Sequence, residues 1–245
     1  MLVTREEEAD GPLSRALKSE GFLPVACPVM TEQPPKDHAA IERVARELGR
    51  YDWIICSSAR AVRALARARD EPWPKGLKSA AVGAQTAAAL VAMGADPKPV
   101  VAKVAGAESL WLELKDRDAW PGKRVLIPTV PLGRRDLIQG LVVAGARVDD
   151  VEAYRMRPLA RRVVADRFAR ADPDAVVLAS PSVAHALFEA IGFAPLVKLR
   201  AVVAIGATTA KALRAHGIEP VVPSRPGFVH VAKELSRLRA AQHET

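Results

Sequence analysis

Aromatic side chains are scarce in this chain of 245 residues, at 4% of the composition, and cysteine is scarcer, with only Cys27 and Cys56. Two cysteines without CxxC spacing exclude a disulfide framework and a zinc site built on cysteine pairs. No apolar run approaches the roughly 18 residues a membrane helix needs, so no membrane partner is expected. The opening stretch MLVTREEEAD has neither the basic nor the apolar region of a signal peptide, and the expectation is a cytoplasmic protein. So few aromatics give little for nucleic-acid bases to stack on. No helix-turn-helix or RNA-binding motif is visible, so nucleic acid is not expected as a partner. GxGxxG, GxxxxGK[ST] and GxSxG are all absent, which removes the fingerprints of dinucleotide, P-loop and α/β-hydrolase sites. The five histidines (His38, His185, His216, His230 and His243) lack HxxxH spacing, and no metal site is expected.

Charge of one sign is in surplus. Lysine and arginine number 36 against 28 acidic residues, and arginine supplies 25 of the 36. The guanidinium fork suits carboxylate and phosphate, so the surplus points to an anionic partner, although an alanine- and arginine-rich composition also accompanies GC-rich coding. Hydrophobic residues at 49% are ample for a buried core. The run Arg155–Arg170 holds six arginines and reads as a solvated connector and helix face. The carboxylate groups Glu6–Glu8 and Asp149-Asp150 read as solvated, and His216, before Gly217, as a cation at a helix C-terminus.

Short apolar runs alternate with amphipathic stretches. The runs lie at Leu2–Thr4, Leu23–Val29, Trp53–Cys56, Ala80–Val82, Val100–Ala102, Val125–Ile127, Val148–Val151, Ala175–Ala179, Ala201–Ile205 and Pro220–Val222. Most are unalternating and rich in Val, Ile and Ala, as strands of a parallel sheet covered on both faces should be. Between them helices are expected at Leu13–Glu20, Ala39–Leu48, Ala61–Ala68, Thr86–Met93, Glu108–Asp116, Asp136–Ala144, Ala160–Ala169, Val183–Ala190, Thr209–His216 and Val229–Ala240. Gly21, Gly94, Gly145 and Gly217 each close one of them in the C-cap position. Strand–helix alternation throughout is the α/β class.

The chain also repeats itself. Val82-Gly83-Ala84-Gln85-Thr86-Ala87 recurs as Ile205-Gly206-Ala207-Thr208-Thr209-Ala210 at an offset of 123. Cys56–Arg60 answers Leu178–Ser182 at 122, and Leu13, Leu17 and Gly21 answer Leu137, Leu141 and Gly145 at 124. This is one α/β unit twice over, five strands each, which suits two flavodoxin-like sheets with a cleft between them. The proline-bearing stretches Pro28–Pro35 and Tyr154–Pro158 read as extended connectors. Their positions suggest that the chain leaves the first domain early, completes the second and returns. The expected domains are 1–30 with 158–245, and 33–153, with linkers near 29–36 and 153–160.

In doubly wound sheets ligands bind beyond the carboxyl ends of the strands. The candidate positions are therefore the turns holding Ser57 and Ser58, Ser180 and Ser182, Gly83 to Thr86, and Gly206 to Thr209, where helix N-termini offer N–H groups to an anion. Serine and threonine are equally the preferred N-caps of any protein. Tyr154, one of two tyrosines, ends an apolar run where it could face the cleft and offer a phenolic proton.

In order along nearly the whole chain, a set of motifs resembles the uroporphyrinogen-III synthase family. It comprises Val3-Thr4-Arg5, Gly21-Phe22, Ser58-Ala59-Arg60-Ala61-Val62, Val82-Gly83 with Thr86-Ala87, Arg134 with Leu137, Leu141 and Gly145, Val151-Glu152-Ala153-Tyr154-Arg155, Ser180-Pro181-Ser182, and Ala204-Ile205-Gly206 with Thr208-Thr209-Ala210. The resemblance implies two flavodoxin-like parallel-sheet domains joined by a two-stranded linker. It implies cyclisation of hydroxymethylbilane, a linear tetrapyrrole with eight carboxylates, to uroporphyrinogen III, with loss of water and inversion of ring D through a spiro intermediate. No metal or organic cofactor is needed. Tyr154 matches the tyrosine that assists departure of the hydroxyl. Ser58, Gly83, Thr86, Ser180, Thr208 and Thr209 match positions lining the cleft, and Arg5, Ser57, Arg60, Arg134, Ser182 and Ala207 complete the candidate substrate contacts. A monomer is expected, with the upstream hydroxymethylbilane-forming enzyme as a candidate partner. Pro128–Gly133 departs from the family's frequent Arg-Gly turn, so an arginine there would come from Arg134 or Arg135. The other open reading is a non-catalytic two-domain binding protein or regulator for an anionic small molecule.

Overall fold

A computed structural model describes all residues except 8–9, 96–97, 104–105, 131–134, 226 and 244–245. The elements begin with β1 (Leu2–Val3), α1 (Pro12–Ser19), β2 (Val25–Ala26) and β3 (Met30–Gln33). Then follow α2 (His38–Arg46), β4 (Trp53–Cys56), α3 (Ala59–Arg67), β5 (Lys78–Ala81), α4 (Ala84–Ala92), β6 (Val100–Val101), α5 (Ala107–Leu114), β7 (Arg124–Thr129), α6 (Asp136–Val143), β8 (Arg147–Glu152) and β9 (Arg155–Pro158). The last are α7 (Arg161–Ala171), β10 (Ala175–Leu178), α8 (Pro181–Ile191), α9 (Ala194–Val197), β11 (Ala201–Ala204), α10 (Ala207–Arg214) and α11 (Phe228–His243).

The chain divides into two compact units, Met1–Thr31 with Arg157–Thr245, and Glu32–Met156. The first holds a sheet of order β11-β10-β1-β2 and the second one of order β6-β5-β4-β7-β8, and all of their registered pairs are parallel. β3 and β9, through which the chain crosses from one unit to the other, pair as a two-stranded sheet. Their residues alone read as extended connectors, and the two-stranded linker that the family resemblance implies is what main-chain pairing makes of them. Two expected strands shrink instead. Leu23–Val29 keeps only the two residues of β2, and Pro220–Val222 contributes a single bridge from Val221 to Val203. Both stretches carry prolines, which cannot donate to a ladder and are confined to sheet edges.

The sequence repeat maps onto both sheets. By offset, β10 corresponds to β4, β11 to β5, β1 to β7 and β2 to β8. The first sheet reads β2-β1-β10-β11 and the second β8-β7-β4-β5, so equivalent strands occupy equivalent places. Each copy of the repeat thus supplies strands to both units.

In the first unit, Val3, Val177 and Val203 pack against Leu13 and Leu17 of α1 and Val231 and Leu235 of α11. In the second, alternation along β4 serves two cores. Ile54 and Cys56 face Ile41, Val62, Leu65 and Leu90 on α2, α3 and α4. Trp53 and Ile55 face Leu110, Leu114, Leu137 and Leu141 on α5 and α6. Here three tryptophans gather, with Trp120 5.4 Å from Trp53 and 6.1 Å from Trp111 between ring centroids. Trp53 donates to Asp118 at 2.8 Å, which Lys78 also pairs at 2.7 Å.

Gly140 in α6 lies under the Trp111 indole, where an added Cβ would stand 2.8 Å from the ring. A helical Gly→Ala change ordinarily stabilises by up to about 1 kcal/mol. Gly140→Ala should do the reverse, destabilising by about 1–3 kcal/mol as an overpacked site, read from the midpoint of denaturant unfolding.

Asp52 accepts the Arg124 N–H at 2.9 Å and the Lys123 ammonium at 3.0 Å, and the first of these chiefly holds its carboxyl below the ordinary 3.8. A depressed carboxyl stabilises the fold fully above its unfolded value and loses that contribution as pH falls through the folded one. Asp52→Asn should therefore flatten the acid limb of stability below about pH 4, followed by thermal unfolding at stepped pH.

Candidate active site

Registration of the strands places the expected turns side by side. Cys56 pairs with Ala81, and Leu178 with Ala204, so Ser58 stands level with Gly83 in one unit and Ser180 with Gly206 in the other. The equivalence extends to the hydrogen bonds that close each pair, Val82 N to Cys56 O and Ile205 N to Leu178 O, both 3.1 Å. Ser58 caps α3 by accepting the Ala61 N–H at 3.1 Å, and Ser180 caps α8 by accepting from Val183 at 3.3 Å. The neighbouring helices α4 and α10 start from Gly83 and Gly206 with no side-chain cap. Each unit therefore presents one serine-capped and one glycine-led helix N-terminus at the carboxyl edge of its sheet, each end carrying partial positive charge.

Not every expected contact lies on that surface. Ser57, Ser182, Ala207 and Thr208 are exposed, and Gly83 is partly so. Thr86 and Thr209 are 6% and 3% exposed and pack inside the first turns of α4 and α10. Arg134 lies outside the described residues. Arg5 stacks over Phe228, with its guanidinium carbon 4.7 Å from the ring centroid, and reaches to 3.6 Å of Glu7.

Glu7 corrects the expectation of a solvated acidic run. Its side chain is 5% exposed, and Oε1 accepts from the Ser14 N–H at 2.7 Å and the Ser14 hydroxyl at 2.6 Å. α1 opens on Gly11, which brings no capping side chain, and the Glu7 carboxylate takes that place. Asp149 and Asp150 are likewise engaged, accepting from Tyr51 and Thr129. Arg155 is 13% exposed and paired to Glu152, so the first arginine of the basic run is not solvated. His216 lies just beyond α10 with its ring 5.4 Å from Phe188 and 5.3 Å from Phe193, an aromatic contact absent from the reading of it as a helix-end cation.

Tyr154 follows β8, where the Ala153 N–H prolongs the ladder by bonding to Thr129 O at 2.8 Å. Its ring is 7% exposed and belongs to the core on the α2–α3 side of the sheet. The phenol oxygen lies 3.1 Å from Ser58 Oγ. β7 lies between β8 and β4, so this contact crosses a strand. β7 also carries Pro128, which has no N–H, and its pairing with β4 stops at Leu126. Beyond that point a cavity of about 380 Å³ opens among Ser57, Val82, Gly106, Thr129 and Ile138. β4 and β7 are where the strand order of this sheet reverses, the position at which doubly wound sheets hold ligands. A second cavity of about 460 Å³, lined by Glu32, His38, Arg67 and Tyr154 among others, lies within the same unit. Among the described residues no group of three or more His, Cys, Asp or Glu could hold a metal ion, and no helix is long and apolar enough to cross a membrane.

Parallel α/β units whose carboxyl edges carry helix N-termini, with a phenol set on one of the caps, define a doubly wound α/β protein. The chain belongs to the uroporphyrinogen-III synthase family, cyclising lyases of tetrapyrrole biosynthesis: the model described as uroporphyrinogen-III synthase HemD matches residues 11–232. A uroporphyrinogen-III synthase of Synechococcus elongatus is 30% identical over 162 residues, which cover 64% of this chain and 60% of that protein. Among solved structures, a mutant uroporphyrinogen III synthase of Thermus thermophilus aligns with a TM-score of 0.63 at 21% identity, covering 100% of this chain and 99% of that one. The Helicobacter pylori enzyme aligns with the same TM-score at 16% identity, covering 100% and 98%. These two likenesses establish the shared fold.

Neither cysteine belongs to the site chemistry. Both are fully buried, and burial pushes the Cys56 thiol up to about 12 and raises that of Cys27. A thiol reagent at about pH 8 should titrate no cysteine in the native protein and two after unfolding, since the thiolate is the reactive form.

Proposed function

We propose that this chain converts hydroxymethylbilane to uroporphyrinogen III, with Tyr154 as the proton donor to the departing hydroxyl. Membership of the family supports the reaction, and the Tyr154–Ser58 contact is the observation that carries the assignment. Ser58 Oγ already accepts the Ala61 N–H. Its own proton can then be given to the phenol oxygen, which leaves the phenolic proton for the substrate. Loss of water from the hydroxymethyl group is driven by the electron pair of its pyrrole and completed by that proton transfer. The protein's remaining task is to hold the chain so that closure occurs with ring D inverted, a matter of orientation.

Within each unit the N–H groups at the glycine-led helix start suit a carboxylate, α4 with the exposed Ser57 hydroxyl in one, α10 with those of Ser182 and Thr208 in the other. Thr86 and Thr209 serve by fixing those helix starts from within. A cytoplasmic location, a monomeric state and receipt of the substrate from the hydroxymethylbilane-forming enzyme belong to the same proposal.

Purified protein and hydroxymethylbilane, with no added cofactor, should yield the III isomer; formation of the I isomer alone would refute the assignment. Tyr154→Phe should retain the fold and lose about a hundredfold in rate, within the range for removal of a general acid. Unchanged turnover in that variant removes Tyr154 from the chemistry while leaving the overall reaction standing.

A further inference from the structure

We propose that Arg60 is a positioning residue for Tyr154 and not a ligand for a substrate carboxylate, a reading that rests on the role given to Tyr154 above. The first turn of α3 touches the segment ahead of and within β9 at two points. Ser58, the cap, meets the Tyr154 phenol at 3.1 Å. Two residues further along each chain, Arg60 Nη1 donates to Met156 Sδ at 3.3 Å. The residue between, Arg155, is held separately, its Nε donating to Glu152 at 2.8 Å, while Glu152 also accepts the Lys36 N–H at 3.0 Å. The chain carrying the phenol is therefore pinned on either side of Tyr154's neighbour, with the helix as the fixed body.

Arg60 is itself oriented by Glu32. Its Nε lies 3.4 Å from one Glu32 oxygen, and Arg67, two turns along α3 on the same face, donates to the other at 2.9 Å. Glu32 sits on β3 and Met156 on β9, so one guanidinium ties both crossing strands to the helix that caps on Ser58. The two partners are about a quarter exposed, 25% for Arg60 and 24% for Glu32. A guanidinium with a carboxylate already on it and its far nitrogen turned to a thioether is placed to hold protein. A point charge in its place would satisfy Glu32 but could not span to the sulfur, because only the fork offers donors in fixed, separated directions.

The test uses the two tyrosines of the chain. In protein labelled on tyrosine rings, NMR should give one signal from Tyr51 and one from Tyr154, assigned with Tyr154→Phe. Arg60→Ala should displace or broaden the Tyr154 signal and leave that of Tyr51 in place. Turnover should fall about tenfold with KM nearly unchanged, as expected for a misplaced reacting group. Placed on Tyr154→Phe, Arg60→Ala should cost nothing further, because the group it positions is gone. Arg60→Lys should restore part of the turnover, and Glu32→Gln should displace the Tyr154 signal in the same direction as Arg60→Ala; these milder changes also serve if Arg60→Ala does not fold. A raised KM with the Tyr154 signal unmoved would make Arg60 a substrate ligand and overturn the proposal, as would an unmoved signal with unchanged kinetics. Full activity in Tyr154→Phe strikes the reading of Tyr154 alone, since the ring signal still reports whether Arg60 holds that residue.

Discussion

A parallel strand cannot return through a hairpin; each must be followed by a crossover long enough to carry the chain back to the starting edge. Everything at the candidate site descends from that constraint. Once every strand points one way, every crossover helix starts at the same edge, and the unsatisfied N–H groups of those helices collect there. Serine or glycine at the turn then decides whether a helix start is closed by a side-chain hydroxyl, as at Ser58 and Ser180, or stays without a side-chain cap, as at Gly83 and Gly206. At α1 the same requirement is met by Glu7, whose carboxylate accepts from the Ser14 N–H and hydroxyl where Gly11 brings no side chain.

Much of this was legible in the residues. The ten expected helices all form, with ends displaced by up to three residues, and β4 spans the apolar run Trp53–Cys56. Unalternating Val, Ile and Ala marked strands covered on both faces, and the repeated Gly-Ala-x-Thr turns marked equivalent strand ends. The ordered motif set marked the family from the residues alone. What escaped were features decided by partners distant in sequence. Pairing of β3 with β9 leaves no local signature beyond prolines and an extended habit, and was expected only through the family resemblance, as a two-stranded linker. The helix α9 is only four residues long, too short for periodicity to register.

The site shows the same division. Sequence spacing could set Ser58 and Gly83 in neighbouring strand-to-helix turns, matched by Ser180 and Gly206 in the repeat, but their standing level follows from the register of β4 with β5. It could not say that Thr86 and Thr209 point inward, since a threonine in a first turn is compatible with either face. Nor could it foresee that Tyr154 would be drawn almost wholly out of solvent onto the cap of another helix, or that Arg60 would already have a carboxylate. Aromatic scarcity, which at first only argued against nucleic acid, has a second meaning in the fold: three of the four tryptophans are spent on one small core, between β4, α5 and α6.

The interleaving of the two repeat copies has a consequence for how the chain emerges during synthesis. The boundary between copies, near residue 123, falls between α5 and β7, in the middle of the second unit's sheet. That unit is complete once Met156 has appeared, and it can collapse as a contiguous stretch. β1 and β2 were made first, yet the neighbour of β1 on its other side, β10, begins only at Ala175. β1, buried at both residues in the finished sheet, is thus a strand that must wait, carrying its apolar side chains past a finished neighbour until the segment from Ala175 onward arrives to pair with it.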